Sequence, residues 1–274
     1  MEGLENAGVQ LRLIPPIIGI TIISTVGIFC NTNVALTVVT SKNLRNVSNY
    51  LIALNSLADV GHQLSHFFTI YSVLSGTNVI HAKTCFIVMA LPFLCLDFSM
   101  CIMIWIGLDR ILRIVLLNRY DRINKKIYLA FIVATSNIYG FTLLYIAYGA
   151  TIAAPDTKLL CVVVFILNGD MPRKILLYTQ LAACVTCVLA YAVFWILFKS
   201  KHGSKLDDVT TKLVARSVSV IVAIVLICWV LTTLIATVAE PYLSVFDLIV
   251  MFFYMGSITD ISFSSNFFVL YALK

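Results

Sequence analysis

An all-α bundle of seven membrane-spanning helices, N-terminus outside and C-terminus cytoplasmic, is the fold class this sequence predicts. Three observations predict it. Of 274 residues, 61% are hydrophobic and only 12% charged, with mean hydropathy +0.99; a soluble domain carries about twice that charged fraction. Apolar runs recur at Pro15–Val39, Tyr50–Leu74, Lys83–Leu112, Ile127–Ala150, Lys174–Phe198, Lys212–Ala239 and Ser244–Leu273. At about 1.5 Å per residue each can cross a bilayer. Finally, of the 19 Lys and Arg residues only Arg12, Lys83, Lys158, Arg173 and Lys174 fall on the side of the N-terminus, and the positive-inside rule then sets the orientation.

The alternating segments of an outer-membrane barrel are absent. The net charge of +6 is distributed as the topology requires, which disfavours a nucleic-acid partner and leaves the lipid bilayer as the surroundings. The domain plan is a short extracellular stretch, 1–14, then one helical domain over 15–273, with no C-terminal tail domain after it. The first residues, MEGLENAGVQLRLI, lack the basic start of a signal peptide, so the first span is expected to direct its own insertion.

The first span holds Asn31 and Asn33. Amides in hydrocarbon are costly, so both are expected to face the bundle. A basic loop from Lys42 to Arg45 follows, and the sequon Asn46-Val47-Ser48 lies on the expected cytoplasmic side, where it stays unmodified. In the second span Asp59, His62, Gln63 and His66 recur at i, i+3, i+4 and i+7, one helix face. The ordinary reading of that face is a polar seam satisfied by its neighbours, and it is preferred for the histidines. For Asp59 a cation or proton site is preferred, because an intramembrane carboxylate is rarely kept without a role.

The third span begins at Cys85 and closes on Asp109-Arg110-Ile111. At about 100° per residue, Pro92, Leu96, Ser99, Met103, Ile106 and Arg110 share one stripe. If Arg110 faces the bundle, Ser99 does too, toward Asp59. Asp97 falls off the stripe and is expected to hydrogen-bond to Ser136 or Asn137 on the fourth span. The fifth span has no proline and carries Tyr191; the loop KSKHGSKLDDVTTK after it is basic. The sixth holds Cys228-Trp229-Val230-Leu231 with Thr232 and Thr233, and the seventh holds Asp260, Asn266 and Tyr271. Six of the eight cysteines lie inside spans, where cysteine is usually a small apolar packer. Only Cys85 and Cys161 lie at span ends or loops, both on the outer side. No cysteine or histidine spacing marks a metal site, and no catalytic motif is visible, so neither an enzyme nor a cofactor is expected.

Cys85 and Arg110, 25 positions apart at the two ends of one span, resemble the third helix of rhodopsin-like seven-helix receptors. Asp109-Arg110-Ile111 resembles their D/E-R-Y motif, Asn31 and Asp59 keep their 28-residue spacing, and Cys228-Trp229-Val230-Leu231 resembles C-W-x-P with leucine for proline. The ending Asn266-Phe267-Phe268, with Tyr271 one place late, is closest to the nematode serpentine chemoreceptors, especially the Srsx class. The resemblance covers nearly the whole chain. It departs at the missing tryptophan of the fourth span, at the missing prolines, and at Thr211, where an acid eighteen residues before Trp229 would hold Arg110 at rest; Asp208 lies nearby. The chain stops at Lys274 without the usual amphipathic tail helix, which suggests a shortened product.

The resemblance implies a Cys85–Cys161 disulfide and a G-protein-coupling face made by Asp109, Arg110, Tyr191 and Tyr271. At rest Arg110 would pair with its neighbouring acid. It further implies a sodium-like polar site of Asn31, Asp59, Ser99 and Asn266, the ion being allosteric, and a ligand pocket drawing on Pro92, Leu96, Trp229, Thr232, Thr233 and Asp260. Pro92 stands where aminergic relatives carry their amine-binding aspartate, which disfavours an amine receptor. The implied function is a chemosensory receptor in the plasma membrane of a sensory cell. It would bind an extracellular small-molecule or peptide stimulus and promote nucleotide exchange on a heterotrimeric G protein. The alternatives are a degenerate, non-signalling receptor and, less favoured, a proton-coupled transporter, for which inverted repeats and paired helix breaks are missing.

Overall fold

A computed structural model describes residues 8–167, 169–200, 220, 223–224, 227–235, 238–239 and 242–272, and the side chains of 43, 118, 170, 245 and 266–272 are not among those described. Helix α1 spans Ile14–Thr40 and has prolines in its first turn, where no intrahelical partner is lost. Helix α2 spans Val47–Gln63; the Asn46 side chain caps it by accepting the Asn49 N–H at 2.9 Å. Helix α3 spans Ser65–Leu74. The expected second span, Tyr50–Leu74, is therefore not one rod. It is interrupted at Leu64, where the ladder tightens: the Phe67 N–H is donated to the Leu64 carbonyl, only three residues back.

Helix α4, Ala82–Leu116, is the longest element at 35 residues and carries Pro92 internally. It ends where Leu117 takes φ 42°, the one positive value among the described non-glycine residues. That left-handed step turns the chain into a 3-10 turn, Leu117–Arg122, folded back against the helix end. Helices α5 (Lys125–Ala153), α6 (Asp170–Ser200) and α7 (Val245–Ala272) follow, with 227–235 helical before the last. Two short strands, β1 (Ile80–His81) and β2 (Lys158–Leu159), pair antiparallel at one end of the bundle. Five helices are individually long and apolar enough to cross a membrane. The broken α2–α3 pair covers the expected second crossing. The sixth, expected at Lys212–Ala239, lies largely outside the described residues, as do Thr211, Asp208 and most of the basic loop.

α4 occupies the centre, packed against α2, α5 and α6, while α1 packs against both α2 and α7. Its apolar contacts run the length of the interior, from Met89 and Phe93 to Ile102 and Ile106. The stripe expected on this helix is buried throughout, from Pro92 to Arg110. Outward, the bundle is equally apolar: Ile22, Phe29, Ile87, Leu91, Tyr145 and Ile196 are each 60% exposed or more. A helix that is hydrophobic on every side belongs in lipid.

Cys85, in the first turn of α4, is bonded to Cys161, with Cα atoms 5.4 Å apart. This bond and the small sheet tie the 158–165 segment over one end of the bundle. Replacing Cys161 by serine releases a loop of 76 residues. It is expected to lower stability by on the order of 2–5 kcal/mol, read as a fall in the thermal midpoint of the purified protein that a reductant reproduces in the wild type.

Candidate functional site

Three polar constellations line the interior. The first joins α2 to α4. Asn55 and Asp59 lie one helical turn apart, and Asn55 Nδ2 donates to Asp59 Oδ2 at 3.0 Å. Ser99 Oγ lies 2.7 Å from Asp59 Oδ1 and 3.1 Å from Asn55 Oδ1. A hydroxyl has one proton, and the shorter contact, to an acceptor that can be charged, takes it. Asp59 and Ser99 thus meet across the helices. Asn55 joins them, and its i−4 position relative to Asp59 was the sequence signal. Asn31 is placed differently: its Nδ2 donates to the Phe263 carbonyl at 3.2 Å, tying α1 to α7. The Asn266 side chain lies outside the described residues. Asn33 does not reach the bundle; it donates to its own helix at the Phe29 carbonyl, 2.7 Å away.

The second constellation is at the opposite end of α4 from the disulfide. Asp109 is fully buried and accepts from Ser48 Oγ at 2.5 Å and from Tyr120 Oη at 2.6 Å. Burial, together with that bond to the carboxylate, raises the Tyr120 phenol above its usual range, so Tyr120 remains a donor throughout the physiological range. The expected resting pair of Asp109 with Arg110 does not form, because helix α2 and the 3-10 turn supply the acid's partners instead. Arg110 is 7% exposed, and its Nε and Nη2 have no hydrogen-bond partner among the described residues. Tyr191 of α6 is buried against Gly107, one turn before Arg110; a Cβ there would lie 2.9 Å from its ring. The Tyr191 hydroxyl is also without a partner among these residues. The Tyr271 side chain lies outside them.

The third is a cavity of about 180 Å3 under the disulfide-tied segment. Val162–Phe165 roof it, Leu176 and Gln180 of α6 and Phe253 of α7 wall it, and His62, His66 and Asp260 lie at its base. Of the expected ligand positions, Leu96, Trp229, Thr232, Thr233 and Asp260 line it. Pro92 does not. It is buried in the helix packing one turn earlier, and the His62 ring faces its carbonyl. Asp260 is not a partnerless acid: Ser24 of α1 donates to its Oδ2, and His66 Nε2 lies 3.3 Å from the same oxygen, without the alignment of a hydrogen bond. His62, His66 and Gln180 were not expected at a pocket. For the histidines the signal was their shared face with Asp59, and for Gln180 it was an amide inside an apolar run. The Trp229 indole N–H and Gln180 Nε2 have no partner among the described residues, which leaves two buried donors in the cavity wall.

Asp97 is a fully buried acid, and neither carboxylate oxygen has a partner among the described residues. The expected bond to the fourth span is absent: Ser136 makes none, and Asn137 donates to the Val133 carbonyl of its own helix at 2.8 Å.

A seven-helix membrane bundle with a disulfide-held loop over an interior cavity has the architecture of a seven-transmembrane receptor. Residues 24–274 match the family described as serpentine type 7TM GPCR chemoreceptor Srsx, and the chain belongs to that family. It is a family of multi-pass membrane chemoreceptors rather than of enzymes. No curated protein matches the chain.

Two substitutions separate a satisfied acid from an unsatisfied one. Ser99→Ala strips a donor from Asp59 and is expected to destabilise by about 1–3 kcal/mol, while Asp97→Leu removes an unpaired buried carboxylate and is expected to stabilise by a similar amount. Thermal midpoints of the two variants should therefore move in opposite directions.

Proposed function

We propose that this chain is a G-protein-coupled chemosensory receptor of the plasma membrane, oriented with its N-terminus outside. A small, uncharged or weakly polar stimulus enters from the disulfide end and occupies the cavity between Leu96, Trp229, Thr232 and Thr233. The observation that carries this reading is that one helix, α4, presents Leu96 to the cavity and Arg110 to the opposite end of the bundle. The two lie about 21 Å apart along the axis. A stimulus that fits the cavity better when the far end is open shifts the population toward that open state. Arg110, whose Nε and Nη2 have no partner among the described residues, then offers these donors to the backbone carbonyls of an inserted G-protein tail. Tyr191, beside Gly107, is placed to follow Arg110 as α6 moves, and Tyr271 would join them from the seventh span.

Asp59, Asn55 and Ser99 bring carboxylate, amide and hydroxyl oxygens into one cluster. This is the hard-donor chemistry of a sodium ion, and these residues would hold one. Charge at that cluster favours the compact resting arrangement of α2 against α4.

Nucleotide exchange on a G protein, measured in membranes carrying the chain at equal surface exposure of an N-terminal tag, tests the reading. Pools of small-molecule stimuli are expected to raise exchange by wild type, and Arg110→Ala is expected to reduce it at least tenfold. Exposure without exchange for any pool would favour a silent receptor. Flux through reconstituted liposomes would favour a transporter.

A further inference from the structure

The base of the cavity gathers chemistry beyond that of a neutral pocket. His62 at the end of α2 and His66 in α3 stand edge to face, with ring centroids 5.3 Å apart. Asp260 reaches them from α7. One donor atom from each of the three residues lies within 4.8 Å of the others. His66 Nε2 and Asp260 Oδ2 are already 3.3 Å apart, and two tetrahedral ligands at Zn–N and Zn–O distances are separated by roughly 3.3–3.4 Å. His62 lines the same cavity beside them.

We propose that His62, His66 and Asp260 form a binding site for a divalent transition-metal ion of the zinc class, with one coordination position open to the cavity. Four observations support it beyond the clustering. His62 is 8% exposed, and its Nδ1 has no partner among the described residues, although the ring faces the Pro92 carbonyl on its other side. His66 Nε2 has no aligned hydrogen bond either. Ser24 donates to Asp260 and orients it from behind. Around these donors the walls are apolar, with Leu96 and Ile249 among them, so competing water is limited.

The donor set selects the ion. Two imidazoles and one carboxylate suit zinc or copper, whereas sodium, magnesium and calcium prefer oxygen alone. The site is thus chemically distinct from the oxygen cluster at Asp59. Because three protein ligands leave a fourth position facing the cavity, a bound ion would add a Lewis-acidic contact there. On the receptor reading above, it would favour stimuli bearing a thiol or imidazole.

The test uses the full chain, purified in nanodiscs, stripped with a chelator and titrated with Co2+ as a zinc surrogate. One equivalent is expected to bind with the intense visible bands of tetrahedral Co2+, and added Zn2+ should bleach them. His66→Gln and Asp260→Asn are each expected to weaken binding at least tenfold. His81→Gln, on the exposed end of β1, should bind as wild type does. Thermal midpoints check that each variant is folded. A wild type showing only the octahedral aqua spectrum overturns the proposal, as does undiminished binding by His66→Gln; in either case the three residues form only a polar seam. No G protein is involved, so the result is independent of whether the receptor couples.

Discussion

Lipid hydrocarbon supplies no hydrogen-bond partner, and that constraint orders most of this molecule. Backbone groups are satisfied within each helix, so the helices themselves follow from composition. Side-chain polar groups must find partners inside the bundle, and the partners they find determine which helices meet. Asp59 holds α2 to α4 through Ser99, Asp260 holds α7 to α1 through Ser24, and Asn31 adds a second α1–α7 tie. The apolar contacts fill the space between these ties without specifying register as sharply, since leucine packs against lipid about as well as against leucine.

Helix α4 draws the three constellations onto one rod. Its disulfide end is fixed, its middle carries Ser99 and Leu96, and its far end carries Asp109 and Arg110. Around it the second and fifth spans differ in kind. α6, the fifth span, runs unbroken from Asp170 to Ser200, with its one proline, Pro172, in the first turn. The second span breaks at Leu64 without one, so that His62 and His66 sit on either side of a tightened turn. His62 and His66, on either side of the interruption, line the cavity, while the Leu64 side chain itself faces outward.

Much of this was legible in the sequence because it depends on period and length. Apolar runs gave the helices, a 100° period placed Ser99 and Arg110 on one buried stripe, and the spacing of Asn31, Asp59, Cys85 and Arg110 carried the family resemblance. What was not legible depends on closure in three dimensions. Ser24 and Asp260 are 236 residues apart, and nothing in either local stretch reveals that α7 returns to α1. Asp97 was read correctly as off the stripe, but whether the facing helix aligns a donor is a matter of ångströms. Its neighbours Ser136 and Asn137 are of the right type and do not deliver. Likewise the pairing of Asp109 with Arg110 was a reasonable expectation from adjacency. It fails because Leu117 reverses the chain and brings Tyr120 back to the acid.

That reversal has a mechanical consequence. Asp109 is clamped between Ser48 of α2 and Tyr120 of the 3-10 turn, so the acid beside Arg110 is tethered to two separate segments at the rim of the bundle. A force applied to the 117–122 turn, by any protein that grips it, reaches the residue next to the arginine through the Tyr120–Asp109 hydrogen bond as well as through the chain itself. The turn is a lever arm with Leu117 as its fulcrum. Contacts that never touch Arg110 therefore share in setting its surroundings.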